Sequence, residues 1–228
     1  MKKIVVFTGA GISAESGINT FRDNGGLWEQ YRIEDVATPA AFRKDPALVL
    51  DFYNQRRKQV ISALPNEAHR SLVKLEQQYD VHIITQNIDD LHERAGSTKV
   101  LHLHGEIRKA RSSLDPSLIY VIDGWELKIE EKCEKGSQLR PHIVWFGEMV
   151  PAMSEAELIT QSADIFIIIG TSLEVYPAAN LVEHASDVIP KFLVDPKAKP
   201  LHGINHLEII KEKAGIGIPA LVNVLLNN

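Results

Sequence analysis

An α/β fold built on a parallel sheet is predicted by three features of this 228-residue chain. Short, β-branched apolar runs recur at 3–7, 81–85, 100–103, 143–146, 165–169 and 192–194, and most are continuous rather than alternating, as in strands buried on both faces. Stretches with helical spacing separate several of them, at 66–79 with Leu72 and Leu75, at 154–161 and at 177–185. Two segments, 24–64 and 107–139, break the alternation and are expected to form a small lid beside the sheet.

In chain order, Ile4-Val5-Val6-Phe7 is the first strand and runs directly into Gly9-Ala10-Gly11-Ile12-Ser13-Ala14-Glu15-Ser16-Gly17. Gly9 and Gly11 lack the Cβ that would obstruct a tight turn or a close approach, and Ala14 takes the third, helix-packing position of a G-x-G-x-x-G/A pattern. The amides that follow are expected to face a pyrophosphate at a helix N-terminus. A hydride-transferring unit would continue through an ordinary helix to a second strand ending in an acidic residue about 20 positions on. This chain instead enters Thr20-Phe21-Arg22-Asp23-Asn24-Gly25-Gly26-Leu27-Trp28, which is polar and broken by glycine. An aromatic and a cation just past the glycines point to chemistry done on a dinucleotide rather than hydride passed through it. In 24–64, Thr38-Pro39 and Asp45-Pro46 each place a capping residue before a proline at the first helical position, the mark of a helical module. The 107–139 segment sets polar and charged residues around Ile119-Tyr120-Val121-Ile122 and Trp125, the pattern of a strand-bearing insert. A cleft between this lid and the carboxyl ends of the strands is the expected ligand site.

The length suits one sizeable domain, or one carrying a small lid, able to bury a full core without covalent staples. Cys133 is the only cysteine, so an intrachain disulfide is impossible and a reducing compartment is expected. The apolar stretch after Met1-Lys2-Lys3 is too short for a signal-peptide core and no run approaches 18 apolar residues, so a cytoplasmic protein without a membrane partner is expected. With 25 Lys and Arg against 30 Asp and Glu, the net charge of −5 gives no general pull toward nucleic acid. Nothing in the sequence sets an oligomeric state, and a monomer is the default expectation.

Four further stretches carry chemistry. Gln86-Asn87-Ile88-Asp89 follows a strand end and offers donors and acceptors suited to ribose hydroxyls and a carboxamide, although a polar turn capping the next helix has the same residues. His104, on the same face as His102 by alternation, stands beside Gly105 and could take a proton from a ribose hydroxyl; a structural histidine is the plainer alternative. The run Val144-Trp145-Phe146-Gly147-Glu148 could be core, or it could offer an edge to an extended peptide with Trp145 and Phe146 lining an apolar tunnel. Gly170-Thr171-Ser172 places hydroxyls at another strand end, suited to phosphate or ribose.

GAGISAESGINTFR at 9–22, QNID at 86–89, HGE at 104–106, VWFGE at 144–148 and GTS at 170–172 occur together and in this order. On these motifs the chain resembles the sirtuin family of NAD-dependent protein-lysine deacylases over nearly its whole length. The resemblance implies a Rossmann-like large domain (1–23, 65–106 and 140–228) with a small lid (24–64 and 107–139). It implies that NAD is consumed as a co-substrate and that acylated lysine in proteins or peptides is the partner, with nicotinamide and O-acyl-ADP-ribose as products. Carried over to this chain, His104 is the general base, Asn87 positions the ribose and a water, Gln86 holds ribose hydroxyls, and Ile88 with Asp89 receives the carboxamide. Phe21 screens the reacting face and Arg22 steadies the loop. Gly9, Ala10, Gly11, Ile12, Ala14, Thr20, Trp28, Gly170, Thr171 and Ser172 supply the remaining cofactor contacts. Leu193, Val194, Asp195 and Ala214 lie toward the adenosine. Val144, Phe146, Gly147 and Glu148 meet the substrate.

Tyr53 and Arg56 stand three apart and so share a helical face, and they resemble the Tyr-x-x-Arg pair of sirtuins that prefer malonyl- or succinyl-lysine. A guanidinium can clasp a distal carboxylate through two hydrogen bonds and the phenol can add a third; a solvated arginine on an amphipathic helix is the alternative. Most sirtuins carry a zinc held by two cysteine pairs in the insert, whereas 107–139 holds Cys133 alone and no histidine. A zinc-free lid is therefore expected, held by Ile119, Val121, Ile122, Trp125 and Leu127. Leu193 also departs from the family, which often has asparagine near the adenosine, and Asp195 is expected to compensate. Mono-ADP-ribosyl transfer or NAD glycohydrolysis, and a non-catalytic NAD or ADP-ribose sensor, are the competing functions at this point.

Overall fold

The computed structural model describes residues 1–18 and 31–227. Six strands, β1 (Lys3–Thr8), β2 (Asp80–Thr85), β3 (Val100–His102), β7 (Ile165–Ile169), β8 (Lys191–Val194) and β9 (Leu207–Ile210), form one parallel sheet in the order β3-β2-β1-β7-β8-β9. Alternate residues of β1 enter opposite cores. Ile4 and Val6 join Ile167, Ile169, Leu72 and Ile218 on one face, while Val5 and Phe7 join Phe166, Ile168, Ala156 and Leu181 on the other. Burial on both faces is the reason these strands read as continuous apolar runs. The order in which the chain adds strands reverses between β1 and its neighbour β7, and by the rule for open α/β sheets the ligand crevice lies at the carboxyl ends of these two strands.

The apolar run at 143–146 does not form a strand of this sheet. The strand is β6 (Leu139–Ile143), and it joins β4 (Gly105–Ser112) and β5 (Ile119–Val121) in a separate antiparallel sheet ordered β5-β4-β6. Residues 144–148 leave strand geometry: the Val144 N–H donates to His104 O (2.9 Å), the Phe146 N–H to Ala37 O (3.0 Å), and a turn closes from the Glu148 N–H to Trp145 O (3.0 Å). Ile143 and Trp145 are apolar because they pack with Val36, Phe52 and Tyr53 of the helical segment, not because they pair with the first sheet.

The helical module is present where proline and cap placed it. Helices α1 (Ile33–Val36), α2 (Pro39–Lys44) and α3 (Pro46–Ser62) follow one another, with Thr38 Oγ1 accepting from Ala41 N (3.0 Å) and Asp45 Oδ1 from Leu48 N (2.9 Å). The remaining α-helices among the described residues are α4 (Glu67–Leu75), α5 (Leu91–Ala95), α6 (Met153–Gln161), α7 (Leu181–His184) and α8 (Ala214–Leu226). Helix α8 escapes a reading by propensity because Gly215, Gly217 and Pro219 all disfavour it. Burial of Ile218, Leu221, Val222 and Leu225 against the first face outweighs that preference. Strand β9, short and half-buried at the sheet edge, gives a weak apolar signal.

Among the described residues the 107–139 insert holds no group of three metal-ligating side chains, and Cys133 is a buried free thiol. Its Sγ lies 3.1 Å from Ser137 Oγ, which in turn lies 2.6 Å from Ser112 Oγ. The expected lid core needs correction: Ile122 and Leu127 are buried, but Ile119, Val121 and Trp125 are 46%, 77% and 38% exposed. The core is instead Leu50, Ala110, Ile122, Leu127, Cys133 and Leu139, so helix α3 contributes directly. Asn54 on α3 donates to Leu127 O (3.0 Å) and accepts from Leu127 N (2.9 Å). The buried Arg57 donates to Asn54 Oδ1 (2.7 Å), Ile107 O (2.6 Å) and Trp125 O (2.8 Å). Lys58 Nζ sits 3.4 Å from the Trp125 ring centroid. One helix thus sews the insert down by hydrogen bonds at residues local patterning cannot single out. Among the described residues no helix is long and apolar enough to cross a membrane.

Candidate active site

The crevice at the ends of β1 and β7 is made by two loops in close contact. The Gly9 N–H donates to Ile169 O and the Gly11 N–H to Gly170 O, both at 2.9 Å. A Cβ on Gly9 would stand 2.7 Å from Gly170 O, and one on Gly11 would stand 2.6 Å from Gly170 Cα. Gly9 is extended (φ −119°), so what it supplies is proximity; Gly170 is the glycine whose left-handed φ of +61° favours a residue without Cβ. The loop does not become a helix N-terminus. It forms two 3₁₀ turns, Ala10–Ile12 and Ala14–Ser16, in which Ile12 is buried in the core and Ala14 is exposed rather than packed. Thr20, Phe21, Arg22 and Trp28 lie outside the described residues.

The 86–89 turn lies against this pair of loops. Gln86 Nε2 donates to Thr171 Oγ1 (3.0 Å), and Asn87 Nδ2 donates to Gly9 O and to Ser13 Oγ, each at 3.2 Å. Ser13 Oγ donates to Asp89 Oδ2 (3.0 Å), and Asp89 Oδ1 accepts from Leu91 N (3.2 Å). Burial pushes the Asp89 carboxyl above its ordinary range, against the pull of those two donors. Ser13 therefore links catalytic and carboxamide candidates; it sits in the glycine motif but was not singled out. Ile88 packs beside the α3 core, and its carbonyl accepts from Ile107 N (2.8 Å).

His102 and His104 grip successive carbonyls of this turn. His104 Nδ1 donates to Gln86 O (3.0 Å), which fixes the tautomer and leaves Nε2 as an acceptor. Burial lowers its pKa below the usual histidine value, partly offset by that hydrogen bond, so the imidazole is neutral at pH 7. His102 Nδ1 faces Asn87 O (2.9 Å) and its Nε2 faces Glu93 Oε1 (2.7 Å); both partners are acceptors, so both ring nitrogens carry protons. Glu93 could have been suspected only from its position in the helix following 86–89.

The other end of the crevice is aromatic. Tyr53 on α3 is buried, and Trp145 Nε1 donates to its hydroxyl (3.0 Å). Trp145 is thus core rather than tunnel wall, whereas Phe146 is 48% exposed and Gly147 has a left-handed φ of +87°. Glu148 is turned inward. Its carboxylate accepts from Arg140 (2.7 and 3.0 Å), Arg111 (3.2 Å) and the Trp145 N–H (2.8 Å), and Arg140 stacks 3.3 Å from the Trp145 ring centroid. Burial lowers the Arg56 guanidinium pKa, while Tyr53 and Asp89 act in the other direction, which places all three within electrostatic reach. Of the residues expected near the adenosine, Leu193, Val194 and Ala214 are buried in the core, and Asp195 Oδ1 accepts from Lys197 N (2.7 Å).

Gln86 Oε1, Asn87 Oδ1 and His104 Nε2 are left without a donor among the described residues, and such a set of acceptors fits a ligand rich in sugar hydroxyls. A doubly wound sheet with these acceptors at its switch point, and no acidic residue closing a second strand for hydride chemistry, defines an enzyme that acts on a dinucleotide. A sequence model of the Sir2 family matches residues 9–177, and the chain belongs to that family. An NAD-dependent protein deacylase of Bacteroides thetaiotaomicron is 48% identical over 99% of each chain, and one of Helicobacter pylori is 53% identical over 94% of this chain and 93% of its own. A Sir2 homologue solved as an NAD complex superposes with a TM-score of 0.90 at 41% identity, covering 99% of this chain and 90% of its own. The protein is an NAD-dependent protein deacylase.

Proposed function

We propose that this deacylase prefers acidic acyl groups, succinyl or malonyl, over acetyl, and that Tyr53 and Arg56 receive the distal carboxylate. One observation carries the preference: on α3 a half-buried guanidinium stands one turn from a buried phenol. A distal carboxylate would meet this guanidinium and phenol with charge-assisted hydrogen bonds, and acetyl brings no charge to them.

NAD supplies an electrophilic sugar carbon with nicotinamide as leaving group. The protein's part is placement and proton transfer. His104, locked by Gln86 O as the Nδ1–H tautomer, accepts a ribose hydroxyl proton at Nε2. Asn87 and Gln86 offer side-chain oxygens to the ribose, and Asp89, braced by Ser13, receives the carboxamide. Gly9 to Ala14 and Gly170 to Ser172 flank the phosphates, with Ile12, Leu193, Val194 and Ala214 contributing backbone and shape, their side chains being buried. Val144, Phe146 and Gly147 border the peptide, beneath a lid formed by 24–64 and 107–139. A single reduced thiol suits a cytoplasmic enzyme.

The test is a panel of acetyl-, malonyl- and succinyl-lysine peptides with NAD, followed by mass spectrometry. The parent is expected to favour the acidic groups, Arg56→Met to lose them at least tenfold more than acetyl, and His104→Tyr to lose all three. Equal losses in Arg56→Met discard the carboxylate clasp.

A further inference from the structure

We infer that Trp145 is a specificity-positioning residue: its indole N–H holds the Tyr53 phenol so that the phenolic proton is left for the carboxylate of an acidic acyl-lysine. The inference rests on the acid-acyl reading above and identifies a residue that reading does not contain.

The argument is one of donors and acceptors. An indole nitrogen donates and cannot accept, so at 3.0 Å the Tyr53 oxygen must be the acceptor. The phenol has one proton of its own, and among the described residues no acceptor takes it. A buried donor without a partner is unfavourable and calls for an explanation, and an anionic group arriving from solvent supplies one. Burial, opposed by the Arg56 charge and the Trp145 hydrogen bond, raises the Tyr53 pKa to about 12, so the proton stays in place across the physiological range.

The indole is itself fixed. Arg140 covers one face at 3.3 Å, Phe42 and Tyr53 pack at centroid distances of 5.5 and 6.3 Å, and its backbone N–H donates to Glu148. With the lone pair engaged by a donor that cannot turn, rotation of the phenolic O–H is biased away from Trp145. Without that donor the O–H is free to rotate, and less of its time is available to the carboxylate.

Trp145→Phe keeps an aromatic ring beneath Arg140 and removes the donor together with part of the indole's volume, a packing loss common to both acyl substrates. The expected result is a roughly tenfold fall in kcat/KM for a succinyl-lysine peptide, carried by KM, with at least fivefold less effect on the acetyl peptide, as for the loss of one hydrogen bond. Tyr53→Phe should show the same split, and the double variant should lose no more than Tyr53→Phe alone. Equal losses on both acyl groups, or losses that multiply in the double variant, overturn the assignment. If Arg56→Met shows no acyl selectivity the acid-acyl pocket itself fails, whereas selectivity in Arg56→Met with multiplying losses removes Trp145 only. Should Trp145→Phe not fold, the parent labelled with ¹⁵N-tryptophan carries the test, its three indole signals assigned through Trp28→Phe and Trp125→Phe. The Trp145 indole N–H resonance should move when succinyl peptide binds and not when acetyl peptide binds, because a polarised phenol is a stronger acceptor. Identical responses to the two peptides overturn the inference.

Discussion

Glu148 lies in the stretch expected to meet substrate, yet its carboxylate faces two guanidiniums and a backbone N–H inside the protein, and Glu148→Gln tests which role it plays. Arg140 reaches it at 2.7 and 3.0 Å, Arg111 at 3.2 Å and the Trp145 N–H at 2.8 Å, with side chains 20%, 9% and 12% exposed for Glu148, Arg140 and Arg111. Removing one partner of a buried ion pair costs about 3–5 kcal/mol. An amide keeps part of the hydrogen bonding and Glu148 is one-fifth exposed, so about 2–3 kcal/mol is the reasoned value. For a chain of this length each kcal/mol lowers Tm by about 2–4 °C, so a fall of about 4–12 °C is expected by thermal denaturation. Burial alone would raise the Glu148 carboxyl, but Arg140, the Trp145 N–H and Arg111 hold it below its ordinary value. Its folded pKa being depressed, the contribution is present above the unfolded value of about 4.3 and is lost as pH falls through the folded pKa. The gap between parent and variant should therefore close in acid. A variant melting within about 1 °C of the parent at pH 7 refutes the internal role.

Three further outcomes follow from the same geometry. Burial opposes protonation of His102, but Glu93 and the Asn87 carbonyl outweigh it and raise the pKa; this contribution is whole below about 6.5 and lost as pH rises through the folded value. Glu93→Gln should therefore flatten the fall in Tm as pH rises above about 6.5, and histidine NMR should show His102 titrating lower in the variant; a parent His102 titrating at or below 6.5 rules this out. The other titratable groups near it, His92, Glu106 and Asp89, are unchanged by that substitution. Gly11→Ala forces a Cβ to 2.6 Å from Gly170 Cα, so calorimetry should find NAD binding weakened by more than about tenfold. Asn54→Ala removes both Leu127 bonds and one partner of buried Arg57, and urea denaturation should show a loss of about 2–4 kcal/mol, while a chelator such as EDTA leaves the parent's Tm in place.

Much of this protein was legible in the chain because its signals are local. Apolar β-branched runs placed five of the six strands of the parallel sheet, Thr38-Pro39 and Asp45-Pro46 placed two helix starts, and the motifs at 9–17, 86–89, 104–106 and 170–172 proved to share one crevice. In each case backbone conformation, capping or the position of a polar residue at a strand end settles the matter within a few residues. What depends on meetings between distant segments was not legible. The inward turn of Glu148, the donor role of Trp145, the His102–Glu93 pair, the α3 staple that holds a lid with one cysteine and the burial of α8 despite its glycines and proline all arise from contacts across the fold. A sequence names which donors, acceptors and charges are available, but only packing decides which of them leave water, and a polar group that leaves water must take whatever partner the tertiary fold has brought beside it.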